Sequence, residues 1–109
     1  MSSSPLVSAV IVTWNSKRYI SRCLDALSAQ THQDFEIVII DNGSTDGRVL
    51  QLQEKYPDLQ LTINRLDANL GFASANNIGA RLACGKWIAL LNADAFPEPD
   101  WLERFFGSS

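Results

Sequence analysis

The 109 residues are too few for two domains but enough for one real core, and an apolar fraction of 46% with 19% charge marks an ordinary folded globule rather than a disordered chain. A formal net charge of −3, with the nine Lys and Arg scattered, leaves no basic footprint and argues against a nucleic-acid partner. No apolar stretch nears the ~20 residues that cross a bilayer, and Met1-Ser2-Ser3-Ser4-Pro5 lacks the basic segment of a signal peptide. The expected location is therefore the cytoplasm, or the inner face of the membrane for a full-length protein.

Residues 1–5 read as a loose leader. Leu6 to Thr13 is rich in β-branched residues and makes a first strand. Trp14-Asn15-Ser16 ends it, and Ile20, Cys23, Leu24 and Leu27 then recur at helical spacing, with Ser16 placed as the cap. Gln30 to Asp34 is a polar connection holding the lone His32, which is expected to be solvated. Phe35 to Ile40 is a second strand. It runs into Asp41-Asn42-Gly43-Ser44-Thr45-Asp46-Gly47, seven consecutive residues of turn and capping chemistry.

Asp46 can cap a second helix whose apolar side is Val49, Leu52 and Tyr56, closed by Pro57-Asp58. Leu59 to Asn64 alternates apolar and polar, as a strand near a sheet edge does. After a loop from Arg65 to Gly71, Ala75, Ile78, Gly79, Leu82 and Ala83 define a third helix. Its stripe of small residues should pack close to the sheet, and Gly85 should stop it. Trp87 to Asp94 is apolar until its last three residues, Asn92-Ala93-Asp94, and suits a strand buried on both faces. Pro97 and Pro99 open a last helix through Trp101, Leu102, Phe105 and Phe106. Cys23 and Cys84 lack metal-ligand spacing and read as buried, reduced residues.

The strict alternation of strand and helix predicts an α/β fold, a Rossmann-like parallel sheet of about four strands in the order 3-2-1-4, with right-handed crossovers and helices on both faces. Ligands bind beyond the carboxyl ends of such strands, at the switch point between strands one and four. Four polar clusters gather there: Thr13 to Asn15, Asp41 to Asp46, Asn69 to Asn76, and Asn92 to Asp94. The first turn lacks the G-x-G-x-x-G of a dinucleotide site. The lone histidine lies at the opposite edge, which excludes a Ser-His-Asp arrangement.

The motifs Ile11-Val12-Thr13-Trp14-Asn15, Asp41 to Gly47, Asn69-Leu70-Gly71-Phe72-Ala73-Ser74-Ala75-Asn76-Asn77-Ile78-Gly79, and Leu90-Leu91-Asn92-Ala93-Asp94, in this order, resemble the amino-terminal half of family-2 glycosyltransferases of the GT-A fold. The resemblance covers about Val7 to Phe106. It implies a nucleoside diphosphate sugar donor, a divalent cation (Mn²⁺ or Mg²⁺), and transfer with inversion to a glycan or lipid-linked acceptor. Carried across, it makes Thr13 and Asn15 the pair lining base and ribose, and Asp41 the carboxylate that reads the base. Uracil and thymine offer an N3–H that a carboxylate accepts, whereas cytosine offers a lone pair. Asn42, Ser44 and Asp46 belong to the same nucleotide-binding segment, and Asn69, Gly71 and Asn76 to the one that approaches the donor. Asn92-Ala93-Asp94 is similar to the family's Asp-x-Asp motif, with Asn92 facing the ribose through a neutral hydrogen bond and Asp94 ligating the metal.

Family members run well beyond this length, so residues 6–106 are expected to be a donor-binding half, and 107–109 a tail or truncation point, with the catalytic base beyond residue 109. A receiver domain of a response regulator would need acids after strand one, and a sugar-nucleotide pyrophosphorylase a glycine-rich basic loop there; both are absent. The remaining alternative is a non-catalytic nucleotide-binding fragment or regulatory α/β module. The apolar residues of the last helix predict self-association through residues 98–106.

Overall fold

The computed structural model describes residues 5–15, 17–45 and 51–106. The elements are β1 (Val7–Thr13), α1 (Lys17–Ser28), β2 (Phe35–Asp41), α2 (Leu52–Lys55), β3 (Leu61–Arg65), α3 (Phe72–Leu82), β4 (Trp87–Asn92) and α4 (Trp101–Phe106). The four strands are parallel and lie in the order β3-β2-β1-β4, as the alternation of elements predicts. Ser16, Asp46 and Val49, expected as cap, cap and core residue, lie outside the described residues. No helix among the described residues is long and apolar enough to cross a membrane.

Period-two geometry divides each central strand between two cores. On one face Val7, Ala9, Ile11, Phe35, Ile37 and Ile39 meet Ile20, Cys23, Leu24 and Leu27 of α1, with Leu52, Tyr56 and Leu102 around them. On the other, Val10, Val12, Val38 and Ile40 meet Ala75 and Ile78 of α3. Helices α1 and α3 thus lie on opposite faces, and Cys23 and Cys84 are kept apart. The small-residue stripe packs as closely as expected: a Cβ built on Gly79 would stand 2.4 Å from Val10 Cγ1.

Four expectations are corrected. The strand from Trp87 is not buried on both faces, because β4 is a sheet edge and α3 packs on β1 and β2 instead; Trp87, Ile88 and Leu90 are 54%, 46% and 57% exposed. Cys84 is exposed just past α3 rather than buried in it. Helix α3 ends at Leu82 with Ala83 as its cap, and Gly85 has no positive φ, so Gly85 is not its stop. Gly85 instead presses on β1, where a Cβ would lie 2.6 Å from the Ser8 nitrogen. Finally, Leu102 of α4 is buried in the first core and Trp101 is half-buried, so these two are not the free apolar patch expected there. The side chains of Phe105 and Phe106 are outside the described set.

At the amino edge of the sheet a buried carboxylate ties three segments together. Glu36 Oε2 accepts the Ser8 hydroxyl at 2.5 Å and the Cys84 N–H at 2.6 Å, and Ser8 Oγ accepts the Gly85 N–H at 2.7 Å. The turn between α3 and β4 is thereby anchored to β1 and β2.

Candidate functional site at the carboxyl edge of the sheet

Strand register sets the first geometry. Thr13 stands opposite Asp41, Asp41 opposite Arg65 on its other side, and Val12 opposite Asn92. Asn42 donates its N–H to Thr13 O at 2.8 Å, extending the β1–β2 pairing one step past the strands. The Asp41 carbonyl does the same for β3, accepting Leu66 N–H at 2.8 Å.

Beyond these ends the chain is tied into two knots. In one, Asn15 adopts φ +50°, a left-handed conformation that Asn tolerates better than most residues. It is held there by the loop after β2: its N–H donates to Ser44 Oγ at 2.8 Å and its Oδ1 accepts Thr45 N–H at 2.8 Å. Asp41, only 1% exposed, accepts Ser44 N–H on Oδ1 at 3.1 Å, and its Oδ2 lies 3.4 Å from Arg65 Nε. In the other knot, Asn42 is buried and its amide bridges to the loop before α3. Its Oδ1 accepts Leu70 N–H at 2.8 Å, and its Nδ2 donates to Gly71 O at 3.3 Å. Gly43, at φ +81°, lies under that loop, where a Cβ would stand 2.7 Å from the backbone of Ala68 and Asn69. Asn69 Oδ1 accepts Gly71 N–H at 2.8 Å, and Gly71, at φ +91°, has open space on its Cβ side.

Of the expected site residues, then, Thr13, Asn15, Asp41 and Ser44 come together in the first knot, and Asn42, Asn69 and Gly71 in the second. Asn42 acts as a brace, with both ends of its amide engaged. Asn76 is half-buried on α3. Asn92 ends β4, exposed, and its carbonyl accepts Ala95 N–H at 3.0 Å in a turn that buries Ala93 and exposes Asp94. Asp46 lies outside the described residues. The arrangement adds one residue absent from the expected set, Arg65, which lines a cavity of about 360 Å³ with Gly43, Ser44, Thr45, Leu66 and Asp67. The signal was one residue away: a third strand extended from Asn64 to Arg65 places Arg65 directly across from Asp41.

Beneath the turn, burial first and the charge of Asp94 second push the Cys23 thiol up to about 11. No group of three or more His, Cys, Asp or Glu side chains could cage a metal among the described residues. An exposed carboxylate at a strand end nevertheless suits Mg²⁺ or Mn²⁺, which are commonly held by one or two carboxylates with substrate phosphates completing the shell.

The parallel sheet in the order β3-β2-β1-β4 with its polar carboxyl edge is that of a GT-A type domain. Staphylococcus aureus TarS 1–349, solved in complex with UDP-GlcNAc, superposes with a TM-score of 0.83 at 29% identity, over 91% of this chain and 29% of that one. The mannosyltransferase PcManGT of Pyrobaculum calidifontis, solved with GDP-Man and Mn²⁺, gives 0.78 at 33% identity over 86% and 29%. The chain belongs to Glycosyl transferase family 2, whose profile matches residues 8–108. Its sequence is 43% identical to an uncharacterized glycosyltransferase of Nostoc sp. over 90% of this chain and 31% of that protein. It is 40% identical to the chondroitin synthase of Escherichia coli over 91% and 14%. The chain spans no more than about a third of any of these four.

Proposed function

We propose that this chain is the donor-binding part of an inverting glycosyltransferase that takes a uridine or thymidine diphosphate sugar, with Mn²⁺ or Mg²⁺, in the cytoplasm. The observation that supports the reading is the row Asp41–Thr13 at the β1–β2 ends, one strand from Asn92 and Asp94: a buried carboxylate lies on one side of the switch point and an exposed carboxylate, suited to hold a cation, on the other.

Thr13 and Asn15 would line base and ribose, and Asp41 would accept the base N3–H. Gly71 leaves room for the donor to pass close to backbone, and Asn92 would hydrogen-bond the ribose. A divalent cation held by Asp94 would neutralise the charge that develops on the departing nucleoside diphosphate. In the transfer itself, the acceptor hydroxyl oxygen bonds to the anomeric carbon from the face opposite the diphosphate, the carbon–oxygen bond to the diphosphate breaks, and the hydroxyl proton passes to a carboxylate base. We assign that base to none of these 109 residues, and the acceptor to a glycan or lipid-linked hydroxyl.

The neighbour solved with GDP-Man supports a second reading, a guanosine donor, because guanine also offers an N–H beside a carbonyl. Calorimetric titration with uridine, thymidine, guanosine and cytidine diphosphates, each with and without Mn²⁺, is the test. The expected result is Mn²⁺-dependent binding of the uridine and thymidine forms with cytidine disfavoured. Guanosine preference would select the second reading, and binding indifferent to both base and metal would overturn both.

A further inference from the structure

The base end of this site raises a question of access. Asp41 is 1% exposed and is not on the wall of the adjoining cavity; the wall there is Ser44 and Arg65, the two residues that hold its carboxylate. The anion is therefore reached from the cavity only past Ser44 and Arg65, a cation that is itself half exposed. An isolated surface ion pair of this kind is worth little. Here one partner is buried, and the exposed partner faces a cavity at the carboxyl edge of the sheet.

We propose that Arg65 is a base-selecting residue, anchored by Nε on Asp41 and presenting its terminal N–H groups to a carbonyl on the edge of the nucleobase. This rests on the reading of the site as a nucleotide seat and adds to it the group that discriminates. A guanidinium has five N–H donors and no acceptor, so the contact with Asp41 leaves four for a ligand. The anchor also restrains an otherwise flexible side chain, so less freedom is lost per hydrogen bond formed to the base.

Viewed from the cavity, the ligand meets a donor with an acceptor behind it. Uracil, thymine and guanine match that order with a carbonyl next to a ring N–H. Cytosine places an amino group where uracil has O4, setting two donors face to face, and a site built to hydrogen-bond one partner rejects the analogue that cannot answer. The Asp94 side of the site plays no part in this choice, so selectivity should be separable from metal dependence.

The experiment is calorimetry of the wild-type chain, Arg65→Gln and Arg65→Lys with uridine and cytidine diphosphates in Mn²⁺, beside thermal melts. Arg65 lies half exposed on an edge strand, so both variants are expected to fold. Loss of a charged hydrogen bond predicts about tenfold or more weaker uridine diphosphate binding in Arg65→Gln, and most of the preference over cytidine lost with it. Arg65→Lys should recover part of the affinity but little of the preference, since an ammonium lacks the planar fork. Mn²⁺ dependence should persist in both. A preference ratio that survives within about twofold in Arg65→Gln overturns the inference, whether or not overall affinity falls, while leaving the nucleotide seat standing. A wild-type chain that binds no nucleoside diphosphate removes the seat and the inference together.

Discussion

Truncating Glu36 to alanine probes the clasp at the amino edge. The side chain is 4% exposed, and its Oε2 receives two donors, the Ser8 hydroxyl and the Cys84 N–H, at 2.5 and 2.6 Å. Hydrogen bonds to a charged acceptor contribute roughly 1.5–3 kcal/mol each. Against them stands the cost of keeping a carboxylate out of water, several kcal/mol, which truncation returns. The decisive difference is that Glu36→Ala leaves both donors behind, one of them on a fully buried serine. We therefore expect a net loss of about 3 kcal/mol, which for a domain of this size lowers the melting temperature by about 12–24 °C. Glu36→Gln keeps a carbonyl that can receive both donors and should cost only about 1 kcal/mol, or about 4–8 °C. Thermal unfolding by circular dichroism, supported by urea titration, measures both. The Ser8→Ala, Glu36→Ala double mutant should lose less than the sum of the singles, because they share one network. A Glu36→Ala chain that melts within about 3 °C of wild type would refute the reasoning. It would mean that the relief of desolvation outweighs the two abandoned donors.

Other perturbations read the opposite edge and the core. Asp94→Ala should abolish the Mn²⁺ dependence of nucleoside diphosphate binding while shifting stability by no more than about 0.5 kcal/mol, since the side chain is exposed at a strand end; equal Mn²⁺ dependence in calorimetry would remove Asp94 as ligand. Asn42→Ala leaves the Leu70 N–H without its acceptor and should cost about 1–3 kcal/mol, seen as faster amide exchange at Leu70 together with weaker nucleotide binding. With its thiol raised to about 11, Cys23 should stay unreactive at pH 8 while the exposed Cys84 is modified, so a chromogenic disulfide reagent should count one thiol in the native chain and two in urea. Because the folded form holds the Cys23 proton more tightly than an unperturbed thiol, which loses it near pH 9, its contribution is intact below pH 9 and is lost as pH rises from 9 through 11, on the order of 2–3 kcal/mol; urea midpoints unchanged from pH 8.5 to 11 would contradict this.

Strand order was legible because alternating strands and helices leave few right-handed arrangements. The error at Trp87–Asn92 arose because a short, wholly apolar run does not say whether a neighbour covers its side chains, and β4 lies at the sheet edge. Small residues at Ala75 and Gly79 did announce close packing, since nothing else explains a helix stripe without bulk. Local spacing revealed the turn residues of the site, Asn15, Asp41, Gly43 and Gly71, each of which carries its conformational reason in its own chemistry. It could not reveal Glu36 with Ser8 and Gly85, or Asp41 with Arg65. Those pairs are made by parallel register and by tertiary closure across 24 to 77 positions of sequence, where a carboxylate in a strand looks like any solvent-facing residue.

The straps between the loops after β1 and β2 also bear on how fast a ligand can settle. Ordering a residue takes roughly 1–2 kcal/mol of conformational entropy, and for Asn15, Ser44 and Thr45 hydrogen bonds within the chain itself supply that ordering. A ligand settling at this edge need not order them again, so these three residues impose no slow rearrangement after encounter. In stopped-flow mixing, the observed rate attributable to this part of the site should climb in proportion to ligand concentration without reaching a plateau.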